Sequence, residues 1–303
     1  MSESPRLVTP NTVGYGPLRC VTAMVVVIIS VVPVARPGTS KADGQQYSVV
    51  ARTDAKSAGL TSSEIIVRIG NMSVPATAIK TSPDVPRNIA IVIDAGPDQA
   101  KVLSKEKELA VALIDELSDA GTSFSVAGAG ISSKTHATTL DRSVAIEHIR
   151  DIAAENGEKK NVPIYDAIGS AIRQVSLSPG LRVVIFIGEG NDGGSKMRYA
   201  ELRSLAESNQ IAVFAALVAD HSLRGTKSIL RYGWNLRELA TDTPGKFVEN
   251  EKTPKATWQL SESVRGLCLV TFEMPSRQMG RYKVSVSARR GKRLEAQKAI
   301  VVP

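Results

Sequence analysis

Carboxylates follow two of the most apolar runs of the sequence, at points where parallel strands would end. Asp94 ends the run NIAIVID and Asp98 lies four residues after it, and Glu189 and Asp192 lie just after the run LRVVIFIG. Ligands of open α/β sheets bind outside the carboxyl ends of the strands, so Asp94, Asp98 and either acid of the second loop could meet there. Such a trio would hold Ca²⁺ or Mg²⁺, which prefer oxygen ligands. The structural alternative is that Asp94 caps its own loop and that Asp98 caps the helix that follows.

The sequence lacks the residue patterns of other catalytic sites. Its three histidines, His136, His148 and His221, do not have metal-ligand spacing. The segment GEGNDGGS lacks the ending of a P-loop and the spacing of a dinucleotide fingerprint, so it predicts a surface turn. Neither a nucleophile elbow nor a His-Glu-x-x-His pattern occurs. We therefore expect no catalytic residues and no enzyme activity; the alternative is an enzyme that uses the acidic metal site.

Strand-like and helix-like segments alternate between residues 88 and 264. The runs NIAIVID, TSFSVAGAG, LRVVIFIG and IAVFAALV are typical of buried parallel strands. Apolar residues at helical spacing predict helices over 100–120, 143–154, 164–175, 197–208, 236–241 and 257–264. The alternation predicts the α/β class: a Rossmann-like, doubly wound, mostly parallel sheet with helices on both faces.

The segments on either side of this region have a β pattern. YSVVAR and EIIVRIG precede it, and LCLVTFEMP, RYKVSVSARR and KAIVVP follow it. We interpret 43–86 as a small β segment, 87–265 as the α/β domain and 266–303 as a carboxyl-terminal β appendage. The two β segments are candidates for one small β module. Cys268 lies in the apolar string LCLV and is expected to be a buried, unreactive thiol.

Residues 1–42 have the pattern of an export signal. Basic residues Arg6 and Arg19 precede the apolar run Cys20–Val34, which is shorter than the ~20 residues of a membrane span. Small residues indicate cleavage near Ala42. The alternative is an uncleaved anchor, which is the only membrane contact that we expect. Either interpretation predicts an exported chain that is periplasmic, secreted or anchored facing outward.

The charge of the chain is unevenly distributed. Lys and Arg number 38 against 30 Asp and Glu, a net charge of +8 that would suit an anionic partner. Much of the excess lies late in the chain, where the candidate anion-binding residues are Arg289, Arg290, Lys292 and Arg293. A basic scaffold for anionic polymers is therefore an alternative function, and a charged edge strand is the structural alternative. Because aromatic residues make up only 4% of the chain, we expect no nucleic acid partner.

Five strings in order resemble a von Willebrand factor type A domain: NIAIVIDAGPD, VPIYDAIGSAI, RVVIFIGEGNDGGS, ESNQIAVFAALV and LRELATDTPGKFVEN. The resemblance covers residues 47–303 and looks closest to the secreted bacterial proteins called VWFA-related, which also carry β segments on both sides of the domain. In that family an Asp-x-Ser-x-Ser loop, a threonine and a further aspartate bind one divalent cation, the metal-ion-dependent adhesion site. One coordination position stays open for a carboxylate of the partner.

The sequence departs from this family pattern at most ligand positions. Asp94 matches the first aspartate and Asp98 replaces the second serine, whereas Gly96 stands at the first serine. Val162 stands at the threonine position and Gly188 at that of the last aspartate. Because glycine and valine side chains cannot ligate a metal, we expect a degenerate site and no cofactor. The alternative is Mg²⁺ or Ca²⁺ held by Asp94, Asp98 and Asp192.

The resemblance implies a non-enzymatic binding module that acts in protein–protein interaction or adhesion at the cell envelope. A protein partner would dock on three loops: after Asp94, before Tyr165 and after Gly188. The candidate contact residues are Asp94, Gly96, Asp98, Tyr165, Asp166, Glu189, Asn191 and Asp192.

Overall fold

The computed structural model describes residues 45–53, 59–82, 84–130, 134–156, 162–218, 227–274, 280–288, 294–296 and 299–302. These residues belong to one compact unit, 44–303. The predicted export segment 1–42 and the candidate anion-binding residues at 289–293 lie outside the described residues.

Strands and helices make up most of the described chain. The strands are β1 (Gln45–Thr53), β2 (Ile65–Ile69), β3 (Met72–Thr81), β4 (Arg87–Asp94), β5 (Thr122–Ala129), β6 (Lys134–Thr135), β7 (Leu181–Gly188), β8 (Ile211–Leu217), β9 (Phe247–Glu249), β10 (Leu267–Met274), β11 (Gly280–Ala288), β12 (Leu294–Ala296) and β13 (Ala299–Val302). The α-helices are α1 (Leu103–Leu117), α2 (Arg142–Asp151), α3 (Ile164–Ser176), α4 (Tyr199–Ser208), α5 (Lys227–Asp242) and α6 (Thr253–Arg265). In the described part of the chain, no helix combines the length and the apolar character that crossing a membrane requires.

Six strands form a mostly parallel sheet in the order β6-β5-β4-β7-β8-β9, in which β6 runs antiparallel to β5. The long strands β4, β5 and β8 are buried at every position because helices cover both faces. Along β4, Ile89 and Ile91 pack on the side of α1, α2 and α6, whereas Ala90 and Val92 pack on the side of α3, α4 and α5. This is the predicted doubly wound α/β architecture, and the prediction is confirmed.

The remaining strands form an antiparallel sheet in the order β12-β1-β10-β3-β2-β11-β13. β10 pairs with β1 on one side and with β3 on the other, so both flanking segments contribute to one sheet. One face of this sheet packs a core of its own, which includes Val67, Phe272 and Val286. The two β segments therefore form a joint module, and β3 is a strand that the sequence patterns do not predict.

β11 is an interior strand of the antiparallel sheet. It pairs with β2 along Val284–Ala288 and with β13 along Gly280–Lys283. Among the described strands, β12 and β13 lie at the edges. The basic stretch therefore contains both an interior strand, β11, and an edge strand, β12, and the alternative of a charged edge strand stays a prediction.

Two kinds of contact fasten the antiparallel sheet to the helices of the α/β part. Val50 of β1 and Leu267 of β10 pack in the same apolar core as α1 and α6. Arg281 of β11 donates from Nε to Oε2 of Glu207 on α4 at 2.9 Å. Glu207 is 1% exposed and also accepts a hydrogen bond from Nε of Arg203 at 3.2 Å. The junction thus combines apolar packing with an ion pair between exposed Arg281 and buried Glu207.

Candidate functional site

Three loops meet at the carboxyl edge of the parallel sheet. β4 ends at Asp94 and β7 ends at Gly188, and the two strands are hydrogen-bonded in parallel up to the pair Ile93 and Ile187. The third loop precedes α3, whose first residue is Ile164. The topology therefore places the three predicted loops at one edge, as expected for an open α/β sheet.

Asp94 supports the loop that follows it. The side chain is 3% exposed, and its Oδ1 accepts a hydrogen bond from the N–H of Gly96 at 3.1 Å. This is the loop-capping contact that the structural alternative predicts for Asp94. Gly96 is the N-cap of a 3₁₀ helix, Pro97–Lys101.

Asp98 lies inside that 3₁₀ helix. The N-cap residue of α1 is Val102, so the interpretation of Asp98 as a helix cap is wrong. The side chain of Asp98 lies outside the described part of the structure.

Gly188 packs directly against Asp94. A Cβ atom added to Gly188 would lie 2.2 Å from the Cβ of Asp94, which is far shorter than any van der Waals contact. The backbone of β7 can come this close to Asp94 because residue 188 has no side chain. An aspartate at 188, which the family pattern would require, does not fit without a shift of the backbone.

Asp192 holds the amino-terminal end of α3. Its Oδ1 accepts a hydrogen bond from the N–H of Tyr165 at 3.2 Å and another from the hydroxyl of Ser195. Burial raises the pKa of Asp192 above its ordinary value, although these hydrogen bonds act in the opposite direction. The nearby charge of Asp166 also raises it. Asp192 thus serves a helix N-terminus, where backbone N–H groups need an acceptor.

Asp166, on α3, accepts hydrogen bonds from the loop that carries Asp192. Its carboxylate accepts hydrogen bonds from the N–H groups of Lys196 and Met197, both at 2.9 Å. The N–H of Asp166 donates to the hydroxyl of Ser195 at 3.1 Å. The loop after β7 and the first turn of α3 are therefore joined by side chains from both sides. We call this set of contacts, centred on Asp166, Asp192 and Ser195, the loop clasp.

Val162 takes part through its backbone. Its carbonyl oxygen accepts hydrogen bonds from the N–H groups of Gly193 and Gly194 at 3.1 and 3.3 Å. The side chain at the threonine position of the family is 3% exposed and packs in the apolar core. Residue 162 therefore anchors the loop and offers no side-chain ligand.

The predicted contact residues differ in how far they reach the surface. Tyr165 and Glu189 are buried, and the hydroxyl of Tyr165 accepts a hydrogen bond from the amide of Asn235 at 2.8 Å. Asn191 is partly exposed. Two exposed basic residues of the same loop, Lys196 and Arg198, are absent from the predicted set. Their place directly after the glycine-rich segment is the sequence signal that could have identified them.

The described acidic and histidine side chains do not converge on a metal. Within the described residues, no group of three or more His, Cys, Asp or Glu side chains is placed to hold a metal ion. The Oδ1 of Asp94 faces an N–H donor of its own loop, and the Oδ1 of Asp192 faces the N–H of Tyr165 on α3 and the hydroxyl of Ser195. The degenerate character of the site remains a prediction.

Comparisons with known proteins give the following result. No protein-family model matches the sequence, and no curated protein matches it. The solved structures similar to this chain include the conserved hypothetical protein BatB from Bacteroides thetaiotaomicron (19% identity, 58% of this chain and 96% of that chain, TM-score 0.48). They also include a von Willebrand factor type A protein from Catenulispora acidiphila (12% identity, 87% of this chain and 74% of that chain, TM-score 0.49). A third is the pilus adhesin SpaC from Lactobacillus rhamnosus GG (7% identity, 78% of this chain and 47% of that chain, TM-score 0.47).

The strand order and the helices on both faces agree with the architecture that the sequence resemblance implies. The architecture is therefore similar to that of a von Willebrand factor type A domain. The loop clasp and the contact between Gly188 and Asp94 organise the edge at which that family's pattern expects a cation.

Proposed function

We propose that the chain is an exported, non-enzymatic binding module that holds a protein partner at the cell envelope through the carboxyl edge of its parallel sheet. The observation that carries this proposal is the loop clasp. It holds the loop after β7 against α3 through hydrogen bonds from Asp192 and Asp166. A docking surface whose loops are already ordered loses less conformational entropy when the partner binds.

We also propose that this binding needs no metal. Asp94 and Asp192 each accept hydrogen bonds from backbone N–H groups of the edge, so these oxygens already serve the protein itself. The position of Gly188 against Asp94 leaves no room for the carboxylate that the family pattern places there. Order at the edge then comes from the protein rather than from a cation.

The exposed side chains of the clasped loop indicate the chemistry of the partner. Lys196 and Arg198 are both exposed, whereas Asp192 and Asp166 of the loop clasp are turned to backbone donors. An acidic patch on a partner would complement these charges and speed the encounter.

A pull-down of the mature protein from an envelope extract tests the docking edge. Lys196→Glu should reduce recovery of the partner by about tenfold, since a repulsive charge at an interface costs of the order of 1 kcal/mol or more. The matched control is Arg173→Glu, which makes the same charge change at an exposed position of α3. This position lies about 14 Å along the helix axis from Ile164, the first residue of α3, and so away from the docking edge. Equal recovery with both variants would place the docking site elsewhere.

Calorimetric titration with Ca²⁺, Mg²⁺ and Mn²⁺ tests metal dependence separately. We expect no binding heat at millimolar metal and no effect of chelator on the pull-down. Tight binding that disappears in Asp94→Ala would instead support the alternative acidic metal site.

A further inference from the structure

A cleft of about 740 Å³ opens where the antiparallel sheet meets the α/β part. β1 and β12 form one wall, and α5, β9 and the middle of α6 form the other. Its volume lies within the ~300–1,000 Å³ that is usual for small-ligand sites, which often lie between structural units. Among the described residues, those that line the cleft do not include Asp166, Asp192 or Ser195 of the loop clasp.

The floor of the cleft is rigid. Gly245 packs so closely on β8 that an added Cβ would lie 1.6 Å from the carbonyl oxygen of Val213. The next residue, Lys246, accepts a hydrogen bond on its carbonyl oxygen from the N–H of Ala215 at 2.9 Å. From the other wall, Arg52 of β1 donates from Nη1 to the carbonyl oxygen of Gly245. The backbone that carries Lys246 is therefore held in place before any ligand arrives.

Two positive charges come together at this floor. Burial lowers the pKa of Lys246, and the charge of Arg52 lowers it further. Burial also lowers the pKa of Arg52. The strand neighbour of Arg52 on β12 is Glu295, whose side chain lies outside the described part. An anion bound at Lys246 would offset the desolvation of its ammonium group.

The two acidic residues that line the cleft serve other cations. Glu249 pairs with Arg237 at 2.7 Å, and Glu251 pairs with Lys255 at 2.8 Å. The first ion pair joins β9 to α5, and the second joins the loop before α6 to the first turn of that helix. These carboxylates therefore hold the wall and are not directed at Lys246.

We propose that this cleft binds a small organic anion through a carboxylate or phosphate group placed between Lys246 and Arg52. The hydroxyl of Thr241 and the amide of Gln259 also line the cleft and supply neutral hydrogen-bonding groups for the rest of the ligand. Ala240 and Ala296 contribute apolar surface to the walls of the cleft. The ligand would bridge the two parts of the molecule.

Calorimetric titration of the full chain tests this site, with inorganic phosphate and citrate as probes. We expect at least one probe to bind with a millimolar or lower Kd, and the stronger of the two identifies the preferred group. Lys246→Gln should weaken binding by about tenfold, whereas Lys246→Arg should keep most of it, because a charge-assisted contact is lost in the first and retained in the second.

The matched control is Lys105→Gln, which removes the same charge from an exposed residue of α1 that does not line the cleft. It should bind like the original chain, and all three variants should keep the original thermal midpoint. No heat with either probe at about 10 mM, or equal loss with Lys246→Gln and Lys105→Gln, would overturn the proposal. The partner pull-down should be unchanged by Lys246→Gln, so failure here is distinguishable from failure of the proposed function.

Discussion

At the scale of single residues, Gly188 stands where the family pattern has a metal-binding aspartate, and its lack of a side chain permits a close backbone contact with Asp94. The sequence alone predicts that residue 188 cannot ligate a metal, because glycine has no side chain. It does not predict that the backbone of β7 at Gly188 lies so close to the Cβ of Asp94 that no side chain fits between them. The close approach depends on the relative position of two strands, which residue types alone do not specify.

The contact between Gly188 and Asp94 predicts the cost of adding a side chain. Gly188→Ala should lower the free energy of unfolding by about 1–3 kcal/mol, because the new Cβ forces neighbouring atoms apart. Denaturant unfolding measures this change. The control is Gly128→Ala on β5, where the added Cβ would meet Ile152 at an ordinary 3.5 Å. A Gly188→Ala chain as stable as the control would contradict the packing argument.

Cys268 gives a second prediction at this scale. The residue is fully buried, donates a weak hydrogen bond to the carbonyl oxygen of Ala51 at 3.4 Å, and has its pKa raised to about 12 by burial. In a Cys20→Ser chain, native Cys268 should therefore react with iodoacetamide at least about a hundredfold more slowly than in the unfolded chain. Rapid labelling under native conditions at pH 8 would show that the sheet opens locally around β10.

At the scale of elements, α3 depends on a cap that lies 27 residues away in the chain. The periodicity of the sequence predicts the helix itself, because its apolar residues line one side. The cap is not predictable from local sequence, since Pro163 precedes the helix and makes no side-chain cap hydrogen bond. The acceptor comes instead from Asp192, across the edge of the sheet.

Two replacements of Asp192 distinguish the contribution of its hydrogen bonds to stability from that of its charge. Asp192→Ala should lower the free energy of unfolding by about 1 kcal/mol, as loss of a helix cap does. Asp192→Asn keeps an acceptor oxygen and should cost less.

The charge of Asp192 predicts a pH dependence. Because the folded chain raises the pKa of Asp192 above 3.8, its contribution to stability is present at acidic pH and is lost as pH rises through the folded pKa. The stability of the Asn variant relative to the original chain should therefore increase from acidic to neutral pH in urea unfolding. A difference that is constant with pH would mean that Asp192 is not desolvated.

The strands differ in how clearly the sequence predicts them. β4, β7 and β8 are continuous apolar runs, and each is predicted within one or two residues. β3 is harder because half of its positions face water and Pro75 interrupts the pattern, although Pro75 pairs with Ile66 in the sheet. The three-residue strands β9 and β12 are too short to leave a periodic signal.

At the scale of the whole molecule, the sequence predicts both kinds of sheet but not how their strands pair. β1 and β10 are hydrogen-bonded partners more than 200 residues apart, as in the pair Val49 and Val270. Hydrophobic alternation tells which face of a strand is buried, and it carries no information about which distant strand lies alongside. The ion pair between Arg281 and Glu207 also depends on that long-range arrangement.

That ion pair predicts how strongly the two parts are fastened. Arg281→Ala should lower the free energy of unfolding by about 1–3 kcal/mol, since buried Glu207 loses a charged hydrogen-bond donor and keeps only part of its compensation from Arg203. Thermal or denaturant unfolding measures the loss. Lys283→Ala is the control, because Lys283 lies two residues along the same strand, is exposed and points to the same face. Equal effects of the two substitutions would rule out a fastening role.

The position of β10 between β1 and β3 also constrains the order in which the chain can fold. Synthesis delivers residues 45–81 first, but their sheet lacks β10, the strand that joins β1 to β3, until residues 267–274 have emerged. The α/β part has local strand–helix–strand connections and can form in the meantime. The antiparallel sheet is then the last part to close, and a chain that stops before residue 267 exposes the unpaired edges of β1 and β3 to aggregation.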